Sequence, residues 1–127
     1  MRTVLILEDV AFVARHLANT MRRAGWSVVM AGSVEQALAA TRLFAIDLVI
    51  ADVMLRDGSG VDAVAELVGA RPGVPAIYVS EYARWRVARW LPASGRYTFV
   101  PLPAPPAVLV DAANALGPDP PALARSA

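Results

Sequence analysis

The order of apolar runs and helix-forming stretches limits this chain more than any other feature. Five short β-rich runs recur along it: "TVLILED" (3–9), "WSVVM" (26–30), "IDLVIAD" (46–52), "AIYVS" (76–80) and "YTFV" (97–100). Each precedes a stretch with helical signals. Residues 10–24 carry Phe12, Val13, Leu17 and Met21 at helical spacing, with Gly25 just past the end. Ser33 and Gln36 have capping-box spacing for a helix to about Phe44. Ser59 and Asp62 predict a helix to about Ala70. "EYARWRVARWL" (81–91) reads as a fourth helix, and "PPAVLVDAANAL" (105–116) as a fifth with proline in its first turn. Five β-α units of this length imply an α/β fold, a doubly wound parallel sheet with helices on both faces. The runs are apolar throughout, as strands buried on both sides must be. One domain over 1–116 is expected, with a flexible tail over 117–127, "GPDPPALARSA".

Composition removes several function classes. The chain has no cysteine, so thiolate nucleophiles and cysteine metal sites are excluded. All 12 basic residues are arginine, which excludes Schiff-base and P-loop lysine chemistry. A net charge of +1 argues against a general nucleic-acid coat. The apolar stretches are interrupted by Asp47 or by prolines, so no membrane span fits, and the early acids fit no signal peptide. A cytoplasmic location is expected. His16, the single histidine, lies on the first helix with no acid motif nearby and reads as structural.

In a parallel sheet, ligands bind beyond the carboxyl ends of the strands. The first run ends in Glu8 and Asp9, the third in Asp52, the fourth in Ser80, and the fifth runs into Pro101-Leu102-Pro103. Three carboxylates and a hydroxyl thus meet at one edge. Carboxylates that converge repel one another unless protonated or bound to a cation. An all-oxygen donor set suits Mg²⁺.

With these residues in place, the sequence resembles the receiver domain of two-component response regulators. The matching stretches are "VLILED", "DLVIADVMLRDGSG", "VPAIYVS" and "FVPLP", and the resemblance runs from residue 3 to about 116. It implies a flavodoxin-like (βα)₅ sheet of strand order 2-1-3-4-5. It implies that Asp52 is a phosphoacceptor, that Asp9 binds Mg²⁺ directly and Glu8 more through water, and that the Met54 carbonyl is a further ligand. Ser80 becomes the switch hydroxyl and Phe99 the switch aromatic. Partners would be a histidine kinase or phosphotransfer protein, and a downstream protein target met by helix four, strand five and helix five. The expected product is a switch, not an enzyme, with at most slow loss of its own phosphoryl group.

The sequence departs from the family pattern at three places. Leu102 stands where a lysine usually precedes the proline after strand five. A charged hydrogen bond from that lysine contributes about 1.5–3 kcal/mol, and leucine supplies none of it. Glu81 follows the switch hydroxyl where a small residue is usual, and Arg56 replaces a common proline. Arg56 or Arg84 could lend positive charge, although a solvated arginine is the ordinary reading. Two alternatives therefore stay open: a phosphorylatable stand-alone receiver, or a pseudo-receiver that docks proteins without phosphate control. A Mg²⁺-dependent phosphatase using Asp52 for turnover fits less well, because position 54 is methionine where that class needs an acid.

"YARWRVARW" (82–90) places Tyr82, Trp85, Arg86 and Arg89 on one face of the expected fourth helix. Tryptophan and arginine favour interface hot spots, so these four are expected partner contacts, with self-association through the same surface a further expectation. Three arginines without a wider basic field argue against single-stranded nucleic acid. Asp57, beside Gly58, and Asp47 read as loop residues.

Overall fold

The computed structural model describes residues 2–69 and 73–117. Five parallel strands form the sheet: β1 (Thr3–Leu7), β2 (Ser27–Ala31), β3 (Leu48–Asp52), β4 (Ala76–Ser80) and β5 (Tyr97–Pro101). Their order is β2-β1-β3-β4-β5, the 2-1-3-4-5 arrangement expected. Register runs Leu7 beside Ala31 and Ala51, Asp52 beside Val79, and Ser80 beside Pro101. This alignment brings the carboxyl ends of β1, β3, β4 and β5 to one edge.

Side chains of a strand alternate between faces, so each apolar run serves two cores. Leu5, Leu7, Val49, Ala51, Tyr78 and Phe99 pack on one face. Val4, Ile6, Leu48, Ile50, Ile77, Val79 and Val100 pack on the other. Full burial of each such aliphatic side chain is worth about 1.5–3 kcal/mol. The first face receives α2 (Val34–Leu43) and α3 (Gly60–Leu67), the second α1 (Ala11–Arg23) and α5 (Pro106–Leu116).

Helix boundaries follow their caps. Ser33 Oγ accepts from the Gln36 N–H at 3.1 Å, while Gln36 Oε1 accepts from the Gly32 N–H at 2.7 Å. Ser59 Oγ accepts from the N–H groups of Val61 and Asp62. That helix ends at Leu67; Ala70 lies outside the described residues, as does the expected tail beyond Gly117. At Gly117 a Cβ would sit 2.6 Å from Trp26 Cη2, so only glycine fits between α5 and the start of β2. Among the described residues no helix is long and apolar enough to cross a membrane.

Two helical expectations are corrected. Phe12 is 73% exposed rather than part of the α1 core face of Ala14, Leu17, Ala18 and Met21. At about 100° per residue, Phe12 lies about 140° around the helix from Leu17. The expected helix over 81–91 is one α turn, α4 (Arg84–Val87), followed by a 3₁₀ turn (Ala88–Trp90). Its N-cap, Ala83, has no side-chain acceptor, and only Val87 is buried. A helix this poorly anchored does not propagate, and Leu91 turns extended before Pro92.

Candidate functional site

At the carboxyl edge of the sheet lies an open pocket of about 370 Å³, lined by Glu8, Asp9, Asp52, Met54, Ser80 and Glu81 with Arg56 and Tyr82 at its rim. Carboxylate oxygens of Glu8, Asp9 and Asp52 fall within 4.8 Å of one another. Glu8 is only 4% exposed, and Ser80 is buried. The acids are tied to backbone donors. Asp9 N–H donates to Glu8 Oε2 at 3.0 Å, Met54 N–H to Asp52 Oδ1 at 2.9 Å, and Arg56 N–H to Asp9 Oδ2 at 2.7 Å. Arg56 thus serves the site through its main chain.

Burial and mutual repulsion raise the affinity of these acids for protons. Glu8 is pushed up to about 8, first by burial, then by the charge of Asp52 and a hydrogen bond to it, then by Asp9. Asp52 is raised, chiefly by burial, with Asp9 and Glu81 adding like charge. The Met54 N–H and the Glu8 hydrogen bond partly offset that shift. Burial and like charge thus favour a protonated carboxyl in the Glu8–Asp52 pair, and no arginine is among the causes of either shift. An all-oxygen cluster that keeps a proton near neutrality is a site where a hard divalent cation can take the proton's place.

The loop after β3 is shaped by two glycines. Met54–Leu55 pairs with Gly58–Ser59 in a small antiparallel hairpin that turns through Arg56 and Asp57 and resumes at Gly58, at φ 143°. Gly60 then opens α3 directly against the strand end. A Cβ at Gly60 would overlap the Asp52 carbonyl, and the Gly60 N–H donates to Val53 O at 2.9 Å. Sequence reading missed Gly60, although the second glycine of "DGSG" was the visible signal. Asp57 does more than turn the loop: its Oδ2 accepts from the Val34 N–H at 3.3 Å and links the hairpin to α2. Asp47 likewise accepts from the Thr3 N–H at the start of β1.

Two candidate residues lie outside the pocket. Phe99 is buried in the core beneath Arg84, whose guanidinium carbon sits 5.9 Å from the ring centroid. Leu102 packs against the opposite core and meets the site only through its N–H, which donates to Ser80 O at 2.8 Å. Its bond to Pro103 is cis. Tyr82, Trp85, Arg86 and Arg89, expected on one helical face, line a second concavity of about 410 Å³, although Tyr82 precedes the helix.

Residues 4–114 match the response regulator receiver domain family. The chain belongs to that family. Among curated relatives, it is 36% identical over 78 residues to the probable transcriptional regulatory protein TcrX of Mycobacterium tuberculosis, covering 61% of this chain and 33% of TcrX. It is 32% identical over 103 residues to the sensor kinase CckA of Brucella abortus, covering 80% of this chain and 11% of CckA. The chain therefore spans a third or less of either relative. Its fold matches that of the Vibrio cholerae chemotaxis protein CheY4 with a TM-score of 0.81 at 20% identity, over 91% of this chain and 98% of that one. The receiver domain of the hybrid histidine kinase CckA matches at a TM-score of 0.71 and 26% identity, over 86% of this chain and 93% of that one. In this receiver domain, the loop after β3 and the ends of β1 and β4 meet at one polar pocket.

Proposed function

We propose that this receiver domain is a phosphorylatable switch whose phosphoacceptor is Asp52. A phosphohistidine on a histidine kinase or phosphotransfer protein would be the donor. A carboxylate oxygen of Asp52 attacks phosphorus; the P–N bond breaks, and the departing imidazole nitrogen keeps the electron pair. The observation that carries this reading is the convergence of Glu8, Asp9 and Asp52 within 4.8 Å at the strand ends. These three carboxylates and the Met54 carbonyl would hold Mg²⁺. When bound, the ion offsets the negative charge of acids and phosphoryl group together.

The chain's own groups have separable roles. The Met54 N–H holds Asp52 Oδ1 and so fixes which face of the carboxylate stays open. The Ser80 hydroxyl, now accepting from the Tyr82 N–H at 3.0 Å, is the group to bond a phosphoryl oxygen. That exchange would release the backbone at Tyr82, and Phe99 on neighbouring β5 would respond. Leu102 brings no charge to the phosphoryl group, so Ser80 carries more of the readout than a lysine-bearing site would require. Output is binding to another protein.

Incubation with Mg²⁺ and a small phosphodonor, followed by intact mass measurement, tests the reading. One added phosphoryl group is expected in the native chain and none in Asp52→Asn. An unmodified native chain, or equal gain in Asp52→Asn, overturns it in favour of a phosphorylation-independent docking module.

A further inference from the structure

We propose that the concavity beside the acid pocket binds an acidic peptide segment of a partner protein, anchored by an apolar or aromatic side chain. This gives a chemistry to the partner named only as a protein above. It rests on that reading for its biological use alone, because binding is measured without phosphorylation.

The cup is built by Met54, Tyr82, Trp85, Arg86, Arg89 and Trp90. Trp85 is 80% exposed, the most exposed large apolar side chain of the described residues. Trp90 leans partly on the core of the first face, whereas Trp85, on an α turn whose single buried residue is Val87, has no packing use there. Arg84, Arg86 and Arg89 are exposed, and among the described residues none forms an ion pair. Their neighbours are aromatic faces: Arg86 lies 4.6 Å from the Tyr82 centroid and Arg89 4.2 Å from that of Trp90. A guanidinium stacked on a ring keeps its edge N–H donors outward, in the fork that pairs with carboxylates. Rings hold the planes and leave the hydrogen-bonding edges unused.

Charge complementarity then selects the occupant. Residues 82–90 carry three arginines and no acid. The nearest acid, Glu81, lines the other pocket with Glu8, Asp9 and Asp52. The two cavities share Met54 and Tyr82 as walls, so the surface changes sign across them. A peptide with localised carboxylates can face the arginines and keep neutral backbone toward the acids. A nucleic-acid strand repeats its charge at every phosphate and meets four carboxylates beside the cup. A second copy docked by two-fold symmetry on this patch brings arginines against arginines.

The test titrates a short fluorescein-labelled peptide of aspartate and glutamate around one tryptophan into the full chain. A twin with asparagine and glutamine, and a labelled oligothymidylate, serve as comparisons. We expect the acidic peptide to bind at least about tenfold tighter than the amide twin, and to weaken as salt rises. Arg86→Gln with Arg89→Gln should weaken it by at least about tenfold while the chain, though slightly less stable, stays folded at the assay temperature. Asp52→Asn should leave it unchanged, which separates this proposal from the phosphoacceptor reading. Equal binding of the two peptides, binding of neither, tighter binding of oligothymidylate, or self-association abolished by the same arginine variant overturns the proposal.

Discussion

The pocket has two walls of different construction. The β1–β3 wall is three acids, each accepting a backbone N–H. The β4–β5 wall is one hydroxyl backed by apolar packing, with the exposed Glu81 just past the end of β4 as its one charge and Leu102 turned into the core. The first wall gathers like charge, which a proton or a cation would offset. The second is stable by itself and contributes geometry more than charge. Chemistry and stability thus occupy opposite sides of a pocket only a few side chains wide.

The largest expected effect is on the acid wall and depends on pH. The raised pKa of Glu8 means that the folded chain holds a proton between about pH 4.5 and about pH 8 that the unfolded chain has lost. Stability without metal is therefore full below the unfolded value and falls as pH rises through that window. Mg²⁺ must displace the proton, so its apparent affinity should rise by up to about tenfold per pH unit until about pH 8, then level off. Calorimetric titration in buffers of different ionisation enthalpy would count the released proton. A flat affinity from about pH 6 to about pH 8 would show that the acids are already ionised, and the contrast between walls would be lost.

Gly60→Ala comes next, because it strikes the acid wall through the backbone. The added methyl overlaps the Asp52 carbonyl, and neither the strand end nor the first turn of α3 can move freely. A loss of about 1–3 kcal/mol is expected in chemical denaturation, together with weaker Mg²⁺ binding. Gly58→Ala would add strain at a positive φ in the hairpin yet meets no neighbour, so the two glycines can be compared directly. Equal effects on Mg²⁺ would mean that hairpin shape, and not the seat of α3 on Asp52, positions the acid.

Leu102→Lys adds charge to the apolar wall. The half-buried leucine leaves some packing behind, for a cost of about 1 kcal/mol, while the lysine stem can still lie along the core. If the amine reaches the pocket, the raised pKa of Asp52 should fall, seen by carbon-detected NMR titration. An unmoved Asp52 would show that the second wall is insulated from the first by more than the choice of one residue.

The sequence made the acid wall legible because chemistry there depends on residue type at strand ends, and strand ends follow from apolar runs. Glu8, Asp9, Asp52 and Ser80 needed only the parallel order to be brought together. Less visible were features set by shape. Phe12 has the right residue type for a core but the wrong angle on its helix. The fourth helix stops after one turn because burial, not spacing, sustains a helix. Arg56 drew attention through its side chain and acts through its amide. Gly60 matters for an atom it lacks. Tyr78, pushed up to about 12 by burial and by Tyr97, stacks edge-on with Tyr97 at 5.5 Å, a contact no local pattern announces.

The smallest expected effect is at Arg84, and it decides where the positive charge of this molecule acts. Its guanidinium covers the buried Phe99 ring and takes no part in the shifts of Glu8 or Asp52. Arg84→Ala should cost about 0.5–1 kcal/mol in thermal unfolding, the worth of an exposed cation–π contact. Mg²⁺ affinity and the Asp52 titration should stay as they are. Phe99→Ala supplies the scale, at about 3–5 kcal/mol for an aromatic removed from a core. If Arg84→Ala instead tightens Mg²⁺ binding at low salt, its charge reaches the acids across the pocket. The apolar wall would then hold a cation after all, supplied from the turn after β4 rather than from the end of β5.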